Sequence, residues 1–235
     1  MLFRGRLCKG RFFRRLNRFA AEVLLDGRRV LAHLPNSGRL RELLISGQPI
    51  LLQRKKTKGR RTAYDLLHVR SGGRWVCLDA RLPPLLIQEA LKAGRIPEFA
   101  GFSTSKREVA VQEGRIDLLL AGPQGVCYVE TKAVTLVVEG TALFPDAPTS
   151  RGTRHLLALQ QAYEEGFRAA VIFVVQRADA LRFAPNWQND LRFAQTLERV
   201  ARGGVSIFAY RCRVGPRRIE IAQSLPVVLS CPFCP

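Results

Sequence analysis

In the first third of the chain, short apolar runs alternate with arginines. Residues Arg18–Leu25 and Arg29–Leu34 read as strands, because Asp26-Gly27 between them is a hairpin turn signal. Asn36-Ser37-Gly38 then interrupts the pattern, and Arg39–Ile45 predicts one or two helical turns. Pro49–Arg54, Thr62–Arg70 and Arg74–Asp79 are further strands. Basic or glycine-rich turns separate them, at Lys55–Arg61 and Ser71-Gly72-Gly73. Five short strands with one small helix predict a compact OB-like β-barrel over residues 1–81.

The pattern changes after Arg81. Pro83-Pro84 opens a helix over Leu85–Ala93, and Gly94 closes it. Three strands follow, Lys106–Gln112, Arg115–Leu120 and Val126–Lys132, joined by tight turns. A helix from about Thr153 to Glu165 precedes Ala169–Gln176, whose near-continuous apolar character predicts a strand buried on both faces. A helix near Asn189–Arg202 leads to a strand at Val205–Tyr210. Residues 82–222 thus predict a mixed α/β domain with an αβββαβ core, packed against the barrel because no low-complexity linker intervenes. Residues 223–235 read as a C-terminal tail.

Charge sharpens this picture. The 235 residues carry 38 Lys+Arg against 19 Asp+Glu, a formal net charge of +19. Of these, 20 basic and 5 acidic residues lie in residues 1–81, so the barrel holds most of the excess. Such an excess points to a polyanion partner, and DNA, most simply duplex, is the expected one. Only 7 of the basic residues are lysine. Arginine suits phosphate because its planar fork bonds two oxygens at once, although genomic base composition also favours it. No apolar run reaches the roughly 18 residues of a membrane span, and arginines interrupt any signal-like start. Six scattered cysteines do not form a disulfide framework, which fits a reducing cytoplasm. No obligate protein partner is indicated.

The sharpest chemical signal is Asp117 followed by Glu130-Thr131-Lys132 on the next strand. Side chains alternate along a strand, so Glu130 and Lys132 share a face while Thr131 is expected to point away. A hairpin through Gly122–Gly125 brings Asp117 beside Glu130. Two adjacent carboxylates offer hard oxygen ligands to Mg²⁺. A neighbouring lysine can orient a water or neutralise a phosphate. This is the D…ExK constellation of the PD-(D/E)xK nuclease-like fold, in the right order of elements. A solvated cross-strand ion pair would give the same three residues, but these charges interrupt otherwise apolar strands, and buried charge requires a partner or a metal. Glu89, on the preceding helix, is a third candidate metal ligand or else a solvent-facing carboxylate. Glu108 is a weaker acidic candidate.

A second cluster is ALFPDAP, followed by Thr149, Arg151, Arg154 and His155 at a helix start, where Arg151 would meet phosphate. His155 on its own reads as structural. A third is HLPNSGR, residues 33–39, a tight turn whose N–H groups suit an anion. Arg39 and Arg41 beside it, with Lys55, Lys56, Arg60 and Arg61, complete the expected nucleic-acid contacts. His68 has no evident partner. The terminal Cys231-Pro232-Phe233-Cys234 lacks the second ligand pair of a structural zinc site. Phosphate-binding glycine loops and serine-hydrolase elbows are absent.

Several blocks together carry a resemblance: MLFRGRL at the start, AHLPNSGRL, RIDLLL with CYVETKAVTL, ALFPDAPTSRGTRHL, and FVVQRADA with FAP. In this order, from residue 1 to about 222, the chain resembles the sugar fermentation stimulation protein family, SfsA. The resemblance implies an N-terminal OB-like domain followed by a PD-(D/E)xK nuclease-like domain, DNA binding, and an influence on maltose and other sugar utilisation in bacteria. It also implies that Asp117, Glu130 and Lys132 are the nuclease-like residues. Gly114 stands where the family usually has serine, and Thr131 where valine or isoleucine is common; neither change removes a proposed ligand. The first expectation is therefore a DNA-binding protein that affects sugar genes. The alternative is a Mg²⁺-dependent nuclease acting through the D…ExK set. A third reading, a single-strand or RNA module, rests on the barrel alone.

Overall fold

The computed structural model describes residues 1–55, 59–111 and 114–231. Its first sheet contains β1 (Leu7–Asn17), β2 (Ala20–Leu25), β3 (Arg28–His33), β4 (Pro49–Arg54), β5 (Tyr64–Ser71) and β6 (Arg74–Cys77). β1 pairs antiparallel with both β2 and β4. A parallel pairing of β3 with β5 closes the OB barrel. The hairpin at Asp26-Gly27 has positive φ at both residues, 49° and 76°, as a tight two-residue turn matched to strand twist requires.

The barrel has the expected number of strands, but not the expected five. Its long first strand is β1, which the sequence pattern did not mark. A register shift between Phe12 and Arg14 makes Phe13 an extra residue, so the alternation that signals a strand is broken there. The fifth predicted strand, β6, pairs only with β5 and leads away to the second sheet. The expected helix at Arg39–Ile45 is a single turn, in which the Leu43 and Leu44 N–H groups donate to the Leu40 carbonyl. It places Leu40 and Leu43 among Phe12, Val23, Ile50, Leu52, Leu66 and Val69, the barrel core.

The second sheet has the order β15-β14-β12-β9-β8-β7. Helix α1 (Pro83–Lys92) precedes the antiparallel trio β7 (Thr104–Val111), β8 (Gly114–Gly122) and β9 (Gly125–Val134). Two short strands, β10 (Val137–Val138) and β11 (Thr141–Phe144), lead to α2 (Ser150–Glu164). Next come β12 (Arg168–Val175), β13 (Arg182–Pro185), α3 (Leu191–Arg202), β14 (Ser206–Val214) and β15 (Ile219–Ser224). The nuclease-like αβββαβ order is therefore present. β12 shows why its run is continuously apolar: Ala170, Ile172 and Val174 face one core with α1, while Val171, Phe173 and Val175 face the other with α2 and α3. Helix α2 begins at Ser150, three residues before its sequence signal, because the Thr149 side chain caps it by accepting the Gly152 N–H. Residues beyond Gln223, read from sequence as a tail, partly belong to the core. The Leu225 N–H donates to Ala209 O, and Val228 N–H donates to Phe183 O. Three of the four CxxC residues lie outside the described residues; Cys231 is free.

Barrel and sheet are joined by buried polar contacts. Gln176, at the end of β12, donates its side-chain amide to the carbonyls of Cys77 and Asp79 at 3.0 and 3.1 Å, and its own carbonyl accepts the Cys77 N–H. Gln176 is fully buried. Gln176→Ala would leave two buried carbonyls without that donor and a small void. We expect a loss of about 2–4 kcal/mol in urea-unfolding stability. A loss below about 0.5 kcal/mol would show that the junction does not depend on this amide.

Candidate active site

The site begins where a ladder stops. The β8–β9 pairing ends at Leu118–Val129, and the β7–β8 pairing skips the rung between Glu108 and Asp117. Leu118 and Leu120 face the α1-side core, yet Ile116 belongs to the α2-side core, so β8 changes face at Asp117. Freed from the ladder, the Asp117 carboxylate takes the place of a strand partner. Its Oδ2 accepts the Thr131 N–H at 2.9 Å and the Thr131 hydroxyl at 2.5 Å. Thr131 thus does not simply point away, as unbroken alternation implied. It turns Asp117 toward Glu130.

Glu130 lies in the middle of the sheet, 2% exposed. Its Oε1 accepts from Lys132 Nζ and from His155 Nδ1, each at 2.5 Å. Its Oε2 is buried and has no hydrogen-bond partner among the described residues. Burial alone would push this carboxyl up, but the Lys132 charge and the His155 hydrogen bond outweigh it and hold Glu130 below the usual carboxylate range. Asp117 moves the other way. Burial raises it and the Glu130 charge raises it further, against the Thr131 hydrogen bonds. An unfilled buried oxygen beside a second carboxylate under repulsion is a site that a divalent cation would relieve, so these residues fit Mg²⁺. Among the described residues no group of three or more His, Cys, Asp or Glu is gathered for a metal. Two carboxylates would hold the ion, with water and phosphate completing its shell, as Mg²⁺ commonly accepts.

His155 belongs to this set, although its sequence context gave it a structural role. With Nδ1–H donating to Glu130, its Nε2 accepts from Arg151 Nε at 3.4 Å. One turn of α2 therefore links a cleft arginine to the central carboxylate. Glu89 does not join them. Its Oε1 is bound by the Met1 ammonium at 2.7 Å, on the far side of α1, so the expected third ligand is occupied elsewhere. Glu108 is exposed and pairs loosely with Arg115 at 3.5 Å.

Asp117, Glu130, Lys132 and His155 line a cleft of about 1000 Å³ between barrel and sheet. Arg15, Arg18, Arg39 and Arg81 line it from the barrel side, and Arg107 and Arg151 from the other. Arg39 and Arg151 were expected here; Arg18 and Arg107 were not singled out. The HLPNSGR turn also lines the cleft, but its N–H groups meet protein oxygens rather than a free anion. Gly38 N–H donates to Asn36 Oδ1, and Leu40 N–H donates to Asp146 Oδ2 at 2.6 Å. Arg15 pins the same turn by donating to the carbonyls of Gly38, Arg39 and Asn36. Of the other expected contacts, Arg41 and Arg61 are exposed but do not line the cleft, and Lys56 lies outside the described residues. Lys55 and Arg60 are drawn to the fully buried Asp65, together with Arg81. These three cations share one carboxylate, so the cluster keeps a positive excess. His68 is fully buried, edge-on to Phe3 and Trp75, with both ring nitrogens unpartnered among the described residues; burial lowers it to about 4.

Comparison with known proteins gives a consistent result. The family described as "Sugar fermentation stimulation protein RE domain" matches residues 81–218, and the "SfsA N-terminal OB domain" matches residues 13–78. A "Sugar fermentation stimulation protein homolog" of Caldanaerobacter subterraneus subsp. tengcongensis is 41% identical over 97% of this chain and 100% of its own. Its counterpart in Natranaerobius thermophilus is 44% identical over 94% of each. The solved structure of Pyrococcus furiosus SfsA, described in complex with Ca²⁺, is 30% identical with a TM-score of 0.89, covering 97% of this chain and 99% of that one.

The two carboxylates should respond oppositely to isosteric neutralisation. Glu130 is depressed, so its stabilisation is complete above the ordinary carboxylate range and is lost as pH falls through its folded value. Asp117 is raised, so its ionisation costs stability at neutral pH and that cost fades in acid. At pH 7 without divalent ions, Glu130→Gln should lose about 2–4 kcal/mol, because Lys132 loses its counter-charge and His155 its charged acceptor. Asp117→Asn should melt no lower than the parent. Thermal melts at pH 7 and pH 4 in EDTA check both, and the Glu130→Gln deficit should shrink at the lower pH.

Proposed function

The chain belongs to the sugar fermentation stimulation protein family, and from that membership and its site we propose that it binds DNA and hydrolyses phosphodiester bonds in a Mg²⁺-dependent way. The observation that carries this reading is the buried, unpartnered Oε2 of Glu130 beside Asp117, inside an arginine-lined cleft. The Pyrococcus furiosus relative is described in complex with Ca²⁺, which supports a divalent cation in this reading. In this reading the chain works in the cytoplasm, and an effect on sugar utilisation follows from its action on DNA.

The residues divide the work by position. Asp117 and Glu130 Oε2 would hold the ion. When bound, Mg²⁺ supplies Lewis acidity to the phosphate and lowers the pKa of a water. Lys132 is held at Glu130 Oε1 by its ammonium, on the cleft side, where it orients a water or meets charge developing on phosphate. His155 also bonds Glu130 Oε1, which fixes the carboxylate and leaves Oε2 without a protein partner, so that it would be free to hold an ion. Arg107 and Arg151, both in the cleft lining, would receive the strand's phosphates.

A binding protein without cleavage is the second reading, favoured by the basic excess of the barrel. One experiment separates the two. Labelled DNA is incubated with Mg²⁺, Mn²⁺ or EDTA and the parent, Asp117→Asn and Lys132→Ala chains, purified in parallel. Hydrolysis should need the metal and fall at least about 100-fold in both variants. DNA binding should persist in Asp117→Asn, since a negative charge facing phosphate is gone. Equal activity in all three chains would refute the enzyme and leave the binding protein.

A further inference from the structure

The divalent-ion reading proposed above uses two carboxylates, and the cleft is lined by two more, Glu108 and Asp146. Asp146 is engaged, since its Oδ2 accepts the Leu40 N–H at 2.6 Å. Glu108 is not committed in that way. Its side chain is 64% exposed, and its ion-pair partner Arg115, itself 70% exposed, stands 3.5 Å away. A pair so open to water contributes little and is readily exchanged for another partner.

The place of Glu108 on β7 is a second observation. The β7–β8 register runs from Arg107–Leu118 to Val109–Ile116, so Glu108 falls opposite Asp117, at the rung that is not formed. Opposed residues of an antiparallel pair share a face, with Cβ atoms about 5 Å apart where the ladder is regular. Here the ladder opens on both strands at once. β8 changes face at Asp117, and the Glu108 backbone stands at φ 53°. Glutamate has no preference for that left-handed conformation, which Asn or Asp adopts more readily. Both irregular residues line the cleft, together with Glu130.

Charge gives the three carboxylates a common use. The Glu130 charge already adds to burial in raising Asp117, so a third carboxylate beside them would meet further repulsion. A divalent cation reverses that balance, because it attracts all three. The buried, unpartnered Oε2 of Glu130 marks the position that calls for such a cation.

We propose that Glu108 is a third carboxylate ligand of the divalent ion held by Asp117 and Glu130, and that Arg115 competes with the ion for it. The ligand is a hard divalent cation, whose affinity rises with the number of charged oxygens around it.

The test is isothermal titration calorimetry of the full chain with MnCl₂, at pH 7 and about 0.5 M KCl, where screening confines through-space effects to ~4 Å. Glu108→Gln should weaken Mn²⁺ binding at least about tenfold. Glu108→Gly should weaken it as much. Because glycine accepts the positive φ, its thermal melt in EDTA should match or exceed the parent's. Arg115→Gln should tighten binding about two- to fivefold, and the same change made in the Glu108→Gln chain should have no effect. Unchanged Mn²⁺ affinity in either Glu108 variant, or an equal gain from Arg115→Gln in both backgrounds, would overturn the proposal. Asp117→Asn separates this failure from failure of the underlying reading. Binding that Asp117→Asn abolishes and Glu108→Gln leaves intact would sink the third ligand and keep the two-carboxylate site. A parent chain that takes up no Mn²⁺ would remove both.

Discussion

Everything at the candidate site depends on one buried carboxylate with two unequal oxygens. Glu130 sits in the central region of a six-stranded sheet, where an isolated charge would be very costly. Lys132 and His155 make it tolerable, but both bind the same oxygen. The other oxygen is buried and unsatisfied. A structure that only needed to tolerate the charge would spread its two donors over both oxygens. Concentrating them on one leaves the other without a protein partner in a residue of the cleft lining. Asp117 completes the site from a strand that leaves its ladder at that residue.

The barrel is the other half of the device. It contributes a wall rather than a catalytic group, and the wall is held in register by protein-to-protein hydrogen bonds. Asp146 accepts the Leu40 N–H, and Gly38 packs so close that a Cβ there would come within 2.9 Å of the Asp146 carboxylate. Glycine is required at that approach. Arg15 fixes the same turn from the cleft side, through the turn's carbonyls. The loop before α2 is thereby tied to the barrel at one end and, through Arg151 and His155, to Glu130 at the other.

How much of this was legible in the sequence depends on range. The glycine turns, the capped helices and the doubly buried β12 are local, and their patterns mark them. Asp117, Glu130 and Lys132 were legible because hairpin geometry and strand alternation act over a few residues. The role of Thr131 was not, because alternation holds only while the ladder is intact, and it fails at Asp117. The β1 strand was hidden by the extra residue at Phe13. His155 reaches Glu130 only through the docking of α2, 25 residues away in sequence. Glu89 had the right helix and the wrong neighbour. The turn at residues 33–39 and the loop carrying Asp146 each resembled an anion site; docked together, one supplies the anion to the other.

The same long-range pairing changes what the basic excess means. Counting charges in residues 1–81 treats every arginine as available to phosphate. In the folded chain Arg60, Arg81 and Lys55 converge on Asp65, which is fully buried, and Arg81 also pairs with Asp79 at 2.7 Å. Arg15 donates to backbone carbonyls and Arg14 pairs with Glu22. These residues spend part of their bonding on the barrel itself, although Arg15 and Arg81 also line the cleft. The cleft arginines without a carboxylate partner among the described residues are fewer: Arg18 and Arg39 on the barrel lip, with Arg107 and Arg151 opposite. The field inside the cleft is therefore set less by net charge than by which arginines lack a carboxylate partner, and Glu130 shares the cleft lining with them.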